Sequence, residues 1–448
     1  MTTRVGCAHQ VVVLRHPAMA YEATVAFVAP VGSRREEDPA DHGIAHVLEH
    51  LLFKGGQRFT SQRAVSEAFL AIGGHTNAFT SHELTCYYAT VAIPDPTSGH
   101  LRMARTQKAI DILRDMVVTP RIHTDLPDQE LAPELRVIQE EIRRQDDNPS
   151  SLVHSLAMRH VYGADPGMDH DIAGTVAGVE RMTMDRIRAW HRQWYARPTV
   201  VIAGAFSAAG VLQLHTHLQG PVTGGGLPYG DKLGKKWQAE CWARGTPPEP
   251  RVHRMPGGAA QAAVVLSYPV DLLGPCDPTA STGDLRGPQM RHLQVLCHVL
   301  GGSMASRLWR AVRETQGLAY TVSVSLSTLT EGTRIVVSTG TADRAGAVRT
   351  IRHELGRLFD GSADVTEDEV QQSLTVMTGG TAVAMPSSKA HVLHYLDHFV
   401  HGGDAESLDD DLLALQQMVE SIDRTTRIVN LLARVVFHPS CAHETVVH

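Results

Sequence analysis

Lysine is scarce in this chain: only six of its 41 basic residues are lysine, against 48 acidic residues and a formal charge of −7. Charges of both signs are spread along the chain, with no basic face to follow a phosphate backbone, so no nucleic-acid partner is expected. No stretch approaches the ~18 uninterrupted apolar residues of a membrane span. The opening MTTRVGCAHQVVVLRH also lacks the charged segment, apolar run and small-residue cleavage site of a secretory leader. Six cysteines (Cys7, Cys86, Cys241, Cys276, Cys297, Cys441) form no CxxC pair. They read as free thiols in a reducing compartment, and a cytoplasmic protein with no membrane partner is the expectation. What the chain does have is bulk. With 448 residues, 43% hydrophobic and 20% charged, it can fill the cores of two large domains or three ordinary ones.

One break in composition stands out. Residues 219–250 are rich in glycine, proline and polar residues and read as a linker between an N-terminal domain, 1–218, and a C-terminal domain, 251–448. The two halves run in a similar order. Each opens with an apolar strand (ATVAFVAPVG; AAVVLSYPV), then an apolar helix ending near glycines (HGIAHVLEHLLFKGG; LQVLCHVLGG), then β-rich segments and long helical patterns. Duplication is the economical reading. The expected fold class is α+β: two homologous domains, each a mainly antiparallel sheet packed with helices. Thr366 and Glu369 have capping-box spacing at the start of a late helix.

The chemistry concentrates in His46-Val-Leu-Glu49-His50. On a helix, residues four apart share a face, so His46 and His50 can direct two imidazoles at one metal ion. The carboxylate of Glu49 projects beside them, where it could hold and deprotonate a water on that ion. This HxxEH order reverses the HExxH zinc signature. With 26 histidines in the chain, random placement would produce it somewhere with a chance of roughly 0.07. A histidine-bearing amphipathic helix without a metal therefore stays open.

A zinc site needs a further protein ligand, and the segment Leu131–Arg144 is the best source. At 100° per residue, Glu134 and Glu141 fall within ~20° of one another inside an apolar stripe, whereas Glu140 falls on the polar face with Arg136 and Arg143. Carboxylates in such a stripe require a cation or hydrogen bonds; a metal or an internal arginine would serve.

These residues resemble the pitrilysin-type zinc peptidases of family M16, which include mitochondrial processing peptidase and insulin-degrading enzyme. The resemblance implies His46, His50 and Glu141 as ligands of one Zn²⁺ per chain, Glu49 as general base and Glu134 as its support. Asn77-Ala78-Phe79-Thr80-Ser81 resembles the family's substrate-pairing edge strand, with Asn77, Ala78 and Phe79 as substrate-binding residues. SMASRLWRAVRETQGLAYTVS resembles its distal substrate-contacting segment, with Arg313 and Tyr320 in the matching places. On sequence alone, these segments would also read as a plain strand, an exposed arginine and a strand-start tyrosine. Two departures stand out. His50 and Glu141 are farther apart than is usual for the family, an excess expected as a loop insertion around Pro94–Gln107 near the site, and Ala205 replaces an acidic or amide residue after VVIAG. The second half has Leu-Gln-Val-Leu-Cys-His where the first has HVLEH, so no zinc is expected there. His75, His82 and His298 read as incidental.

The resemblance implies a zinc endopeptidase acting on unfolded or flexible peptides. Its chamber of four homologous domains would be completed by a homodimer, or by a heterodimer with a homologous subunit. Leader- or pro-peptide processing would suit it. A catalytically silent scaffold subunit and a metal hydrolase of a non-peptide substrate are the other classes.

Overall fold

Two apolar segments that do not alternate, EATVAFVA and AAVVLSYPV, become interior strands of two separate sheets. An unbroken apolar run of this kind is stable only where both faces of the strand are covered. The computed structural model describes residues 2–6, 10–163, 166–218, 246–270, 286–330, 332–400 and 407–448. Of the expected linker, residues 219–245 lie outside the described residues, as do Cys7, Cys241 and Cys276. Cys86, Cys297 and Cys441 are buried.

The first sheet holds β1 (Thr2–Gly6), β2 (Gln10–Arg15), β3 (Glu22–Ala29), β4 (Gly74–Thr80), β5 (Thr85–Ala92) and β6 (Thr199–Gly204), in the order β1-β2-β6-β3-β5-β4. The second holds β7 (Arg251–His253), β8 (Ala262–Val270), β9 (Ala319–Leu329), β10 (Gly332–Thr341) and β11 (His443–Val447), in the order β7-β11-β8-β10-β9. Apart from β1, the two orders correspond strand for strand. Each sheet is antiparallel except for one pair at the same place, β2 with β6 and β7 with β11, among the described residues. The fold is therefore α+β, with one topology used twice, as a duplication requires.

Helices α1 (Ile44–Leu52), α2 (Gln62–Ala71), α3 (Gly99–Val117) and α4 (Leu131–Asp146), with the helix Met184–Trp194, cover one face of the first sheet. Val25, Phe27, Leu48, Leu51, Phe69, Leu113, Ile138 and Ile187 lie in that one core. The opposite face is closed from the other half of the chain. The helix Ser388–Val400 lays Val392, Tyr395 and Leu396 against Val12, Ala26, Val28 and Val201. Ser388 at its start donates to Glu22 through its amide and its hydroxyl. In return, α5 (Pro149–Tyr162) from the first half lays Leu152, Val153 and Ala157 against Ala263, Val265, Val336 and Val447 of the second sheet. Each sheet thus takes its second cover from the opposite half.

The expected loop insertion at Pro94–Gln107 is corrected: from Gly99 onward these residues are the first turns of α3. The Ser98 hydroxyl accepts from the Leu101 amide and caps the helix, and the buried Arg102 side chain donates to the Ala20 and Pro96 carbonyls. Polar side chains satisfied in this way disguised a helix as a loop. The capping box at Thr366 and Glu369 is present.

Several of the histidines are core residues. His191, on the helix Met184–Trp194, is 4% exposed. Its Nε2–H donates to the Val117 carbonyl at 2.9 Å, so in the neutral ring Nδ1 accepts from His123 Nε2, also at 2.9 Å. Burial depresses its pKa from 6.5 to about 4, with neighbouring His123 and Arg192 adding to the effect against the Val117 bond. A base held neutral in the native state contributes stability that is complete above its unfolded pKa and is lost as pH falls toward the folded one. The His191 contribution, roughly 2–4 kcal/mol, should therefore disappear between about 6.5 and about 4. Thermal midpoints measured across that window should fall in the wild type and fall less in His191→Gln. An identical pH slope in the two proteins would refute this account of His191.

Candidate metal centre and active site

Helix α1 has only nine residues and no capping side chain of its own at Gly43. The carboxylate of Glu36, fully buried, replaces one: Oε2 accepts from the Gly43 amide at 2.6 Å and Oε1 from the Ala45 amide at 2.9 Å. A negative charge at a helix N-terminus also suits the helix dipole. Gly43 has φ of 96°, and a Cβ there would lie 2.6 Å from the Ala173 carbonyl oxygen, so only glycine fits. Ile44, Val47, Leu48, Leu51 and Leu52 then face the core, which leaves His46, Glu49 and His50 together on the half-exposed side.

Helix α4 packs beside α1 and brings Glu141 to the two imidazoles. Glu141 Oε2 lies 3.9 Å from His46 Nε2 and 3.6 Å from His50 Nε2. Ligands around a tetrahedral zinc at ~2.1 Å are about 3.4 Å apart. Two imidazole nitrogens and one carboxylate oxygen at these separations therefore fit such an ion, and three ligands leave a position for a reactant. Burial, with the nearby charge of His50, lowers the pKa of His46 to about 4, so the ring is in the neutral form that a ligand requires. Glu140 points away, 72% exposed and paired with Arg143. The helical phase that separated Glu141 from Glu140 in the sequence holds in three dimensions.

Glu134 sits one step outside these three donors, its Oε2 3.7 Å from His50 Nδ1. Its other oxygen is held by Lys54 Nζ. A carboxylate behind a ligating histidine fixes the ring and raises its basicity. No sequence pattern marks Lys54, which stands four residues after His50 and is one of only six lysines.

The Glu49 carboxylate accepts from the Thr80 hydroxyl at 2.5 Å. Burial raises its pKa above the ordinary range, against the opposing pull of the Thr80 bond. Thr80 ends β4, which is the edge strand of the first sheet. Asn77, Ala78 and Phe79 precede it on that strand, and the Ala78 amide donates to Asn77 Oδ1 at 2.9 Å. Thr80 was legible only as part of a strand motif; its link to Glu49 required the fold.

Arg313 and Tyr320 belong to a separate place. The Arg313 guanidinium lies between two rings, 4.5 Å from the centroid of Trp309 and 4.4 Å from that of Tyr320. Tyr320 is 72% exposed at the start of β9, an edge strand of the second sheet. Among the described residues, no contact joins this pair to the histidines of α1.

The family model "Insulinase (Peptidase family M16)" matches residues 11–168, and "Peptidase M16 inactive domain" matches residues 181–377. A Streptomyces coelicolor protein named an uncharacterized zinc protease is 30% identical over 398 residues, spanning 87% of this chain and 78% of that one. The chain belongs to peptidase family M16. A second relative, named an uncharacterized zinc protease of Bacillus subtilis, is 29% identical over 90% of this chain and 88% of its own. In fold, the M16 chain is similar to a protease from Helicobacter pylori (TM-score 0.80, 19% identity, 100% of this chain and 98% of that one). It is also similar to an M16 inactive-domain structure from Pseudomonas fluorescens (TM-score 0.75, 14% identity, 100% and 97%). Among the described residues, no helix is long and apolar enough to cross a membrane.

Lys54→Met should leave the fold of this M16 chain intact but weaken added Zn²⁺ by ~10–100-fold, because Glu134 loses its counter-charge behind His50. Competition with a chromophoric chelator measures this. An unchanged affinity would mean that Lys54 does not support the metal-binding group.

Proposed function

We propose that this chain is a zinc-dependent endopeptidase that cuts unfolded or flexible peptides. The observation that carries the reading is the hydrogen bond from Thr80 to Glu49. It joins the edge strand, where an extended peptide can add by main-chain pairing, to a carboxylate beside the His46–His50–Glu141 donors that is not itself among them. Zinc bound by these three would supply the Lewis acidity that polarises a carbonyl and acidifies water. Glu49 takes the proton from the attacking water and returns it to the leaving amine, a role favoured by its raised pKa. Glu134 and Lys54 keep the His50 ring oriented. Asn77, Ala78 and Phe79 hold the substrate backbone, for which Asn77 must release the Ala78 amide.

Arg313 and Tyr320 contact substrate from the second half. Their separation from the α1 histidines suits a chamber of four domains built by two chains, in which one chain's pair serves its partner's zinc site. A homodimer suffices, because this chain carries both kinds of half; a heterodimer with a homologous subunit is the competing assembly. Processing of a leader or pro-peptide is the use that fits a chamber open to flexible segments. The inactive-domain match favours a second reading, a silent scaffold subunit, but it falls on residues 181–377, outside the donor group.

Metal analysis separates these readings. Glu141→Gln should lose the zinc of this site and Glu140→Gln should keep it. Glu49→Gln should keep zinc while kcat on a flexible peptide falls by ~10²–10⁴-fold. Full turnover in Glu49→Gln would end the assignment of the base, and a wild type that binds zinc but cuts no peptide would favour the scaffold.

For the assembly, inactive Glu49→Gln subunits mixed with a weakly active Tyr320→Phe protein should regain activity. Each hybrid then contains one site with an intact zinc half and an intact distal half. No recovery, once subunit exchange has been verified, would contradict sharing between chains.

A further inference from the structure

A second group of described residues gathers metal-ligating side chains: His42, Asp169 and His170. His42 lies just before α1. Asp169 and His170 follow the short turn Pro166–Met168 and reach α1 from a distant part of the first half. Asp169 Oδ1 is 3.0 Å from His170 Nδ1 and 3.8 Å from His42 Nε2. The other nitrogen of His170, Nε2, lies 2.8 Å from Glu36 Oε2, the oxygen that also accepts from the Gly43 amide.

This geometry limits the proton positions. Burial raises the Glu36 pKa, against the bonds from His170, Gly43 and Ala45; with Glu36 ionised and accepting from those amides, His170 Nε2 carries hydrogen. In the neutral ring Nδ1 is then a bare lone pair directed at a carboxylate oxygen 3.0 Å away, which is repulsive without a cation between them. Protonating His170 would bridge the two carboxylates, yet it leaves the neighbouring ring unexplained. His42 is 7% exposed, and its Nε2 is buried with no hydrogen-bond partner. An ion shared by all three satisfies both conditions at once.

We propose that His42 Nε2, His170 Nδ1 and the Asp169 carboxylate form a second binding site for a divalent transition-metal ion such as Zn²⁺, separate from the His46–His50–Glu141 group. Two imidazoles and one carboxylate are a donor set suited to such ions. Glu36 is the outer carboxylate that fixes the His170 tautomer. Asp38 and Asp41 are taken up by Arg186, whereas the ion-pair partners of Asp169 among the described residues are these two histidines. The Asp169 side chain is 48% exposed and gives an ion a route from solvent. The two rings are stacked, 3.7 Å between centroids and 11° between planes. The nitrogen lone pairs lie in the ring planes and those planes are nearly parallel, so coordination to one ion turns the His42 ring out of the stack toward Asp169. The bound ion pins the segment around residue 170 to His42, just before α1 and four residues before His46, and so stiffens the helix that carries the first group.

The test uses the full chain and needs no peptidase activity, so it is independent of the reading above. In a His46→Ala/His50→Ala protein, equilibrated with Zn²⁺ and freed of excess metal, elemental analysis should find one ion per chain. That ion should be lost on adding His42→Ala or Asp169→Asn. Co²⁺ in the same double variant should give the visible absorption of a four-coordinate site, abolished by Asp169→Asn. In the otherwise wild-type chain, Asp169→Asn should lower zinc by one ion per chain, a comparison that holds even if the double variant does not fold. A folded double variant that retains no ion, or a wild-type zinc content indifferent to Asp169→Asn, overturns the proposal.

Discussion

A helix of nine residues cannot stand by itself, since helices shorter than ~12–15 residues are marginal in water. His46, Glu49 and His50 all hang from such a helix. What holds α1 is the buried carboxylate of Glu36, which satisfies two of its free amides and accepts from His170, together with the apolar side from Ile44 to Leu52. Removing that carboxylate would leave buried donors unpaired at the helix start, a cost that a short helix has few internal bonds to absorb. The positions of His46, Glu49 and His50 are in this sense set by a residue eight places before the helix begins.

From that anchor the site is built outward by elements that each contribute little alone. Helix α4 brings Glu141 and Glu134, Lys54 neutralises Glu134, and Thr80 brings the end of an edge strand to Glu49. The result is a half-buried row of carboxylates and imidazoles that would repel or strand one another in an apolar setting. Such a group is sustained by fixed hydrogen bonds and by cations, and Lys54 is a cation the chain itself provides.

How much of this could be read from the sequence depends on the range of each interaction. Local periodicity was enough for His46 and His50 on one face of α1 and for Glu141 over Glu140 on α4, because a helix converts spacing directly into direction. The repeated order of apolar segments was enough for the doubled topology. Thr80, Lys54 and Glu36 were not legible as partners, since a hydroxyl or an ammonium has no sequence pattern until the fold brings it to a carboxylate. The start of α3 is not legible as a helix because Arg102 and Thr106, buried and donating to backbone carbonyls, break the apolar period. The exchange of covering helices was also invisible. An apolar helix face carries no record of which sheet it will cover.

That exchange makes the chain behave like two clasped hands. The helix Ser388–Val400 is bound to the first sheet and α5 to the second, so neither half can leave without uncovering an apolar face of both. A single cut anywhere in residues 219–245 would break the covalent thread and leave the clasp. The two pieces would stay together as a complementing pair, whereas either piece made alone would expose a sheet face that only the other can shield.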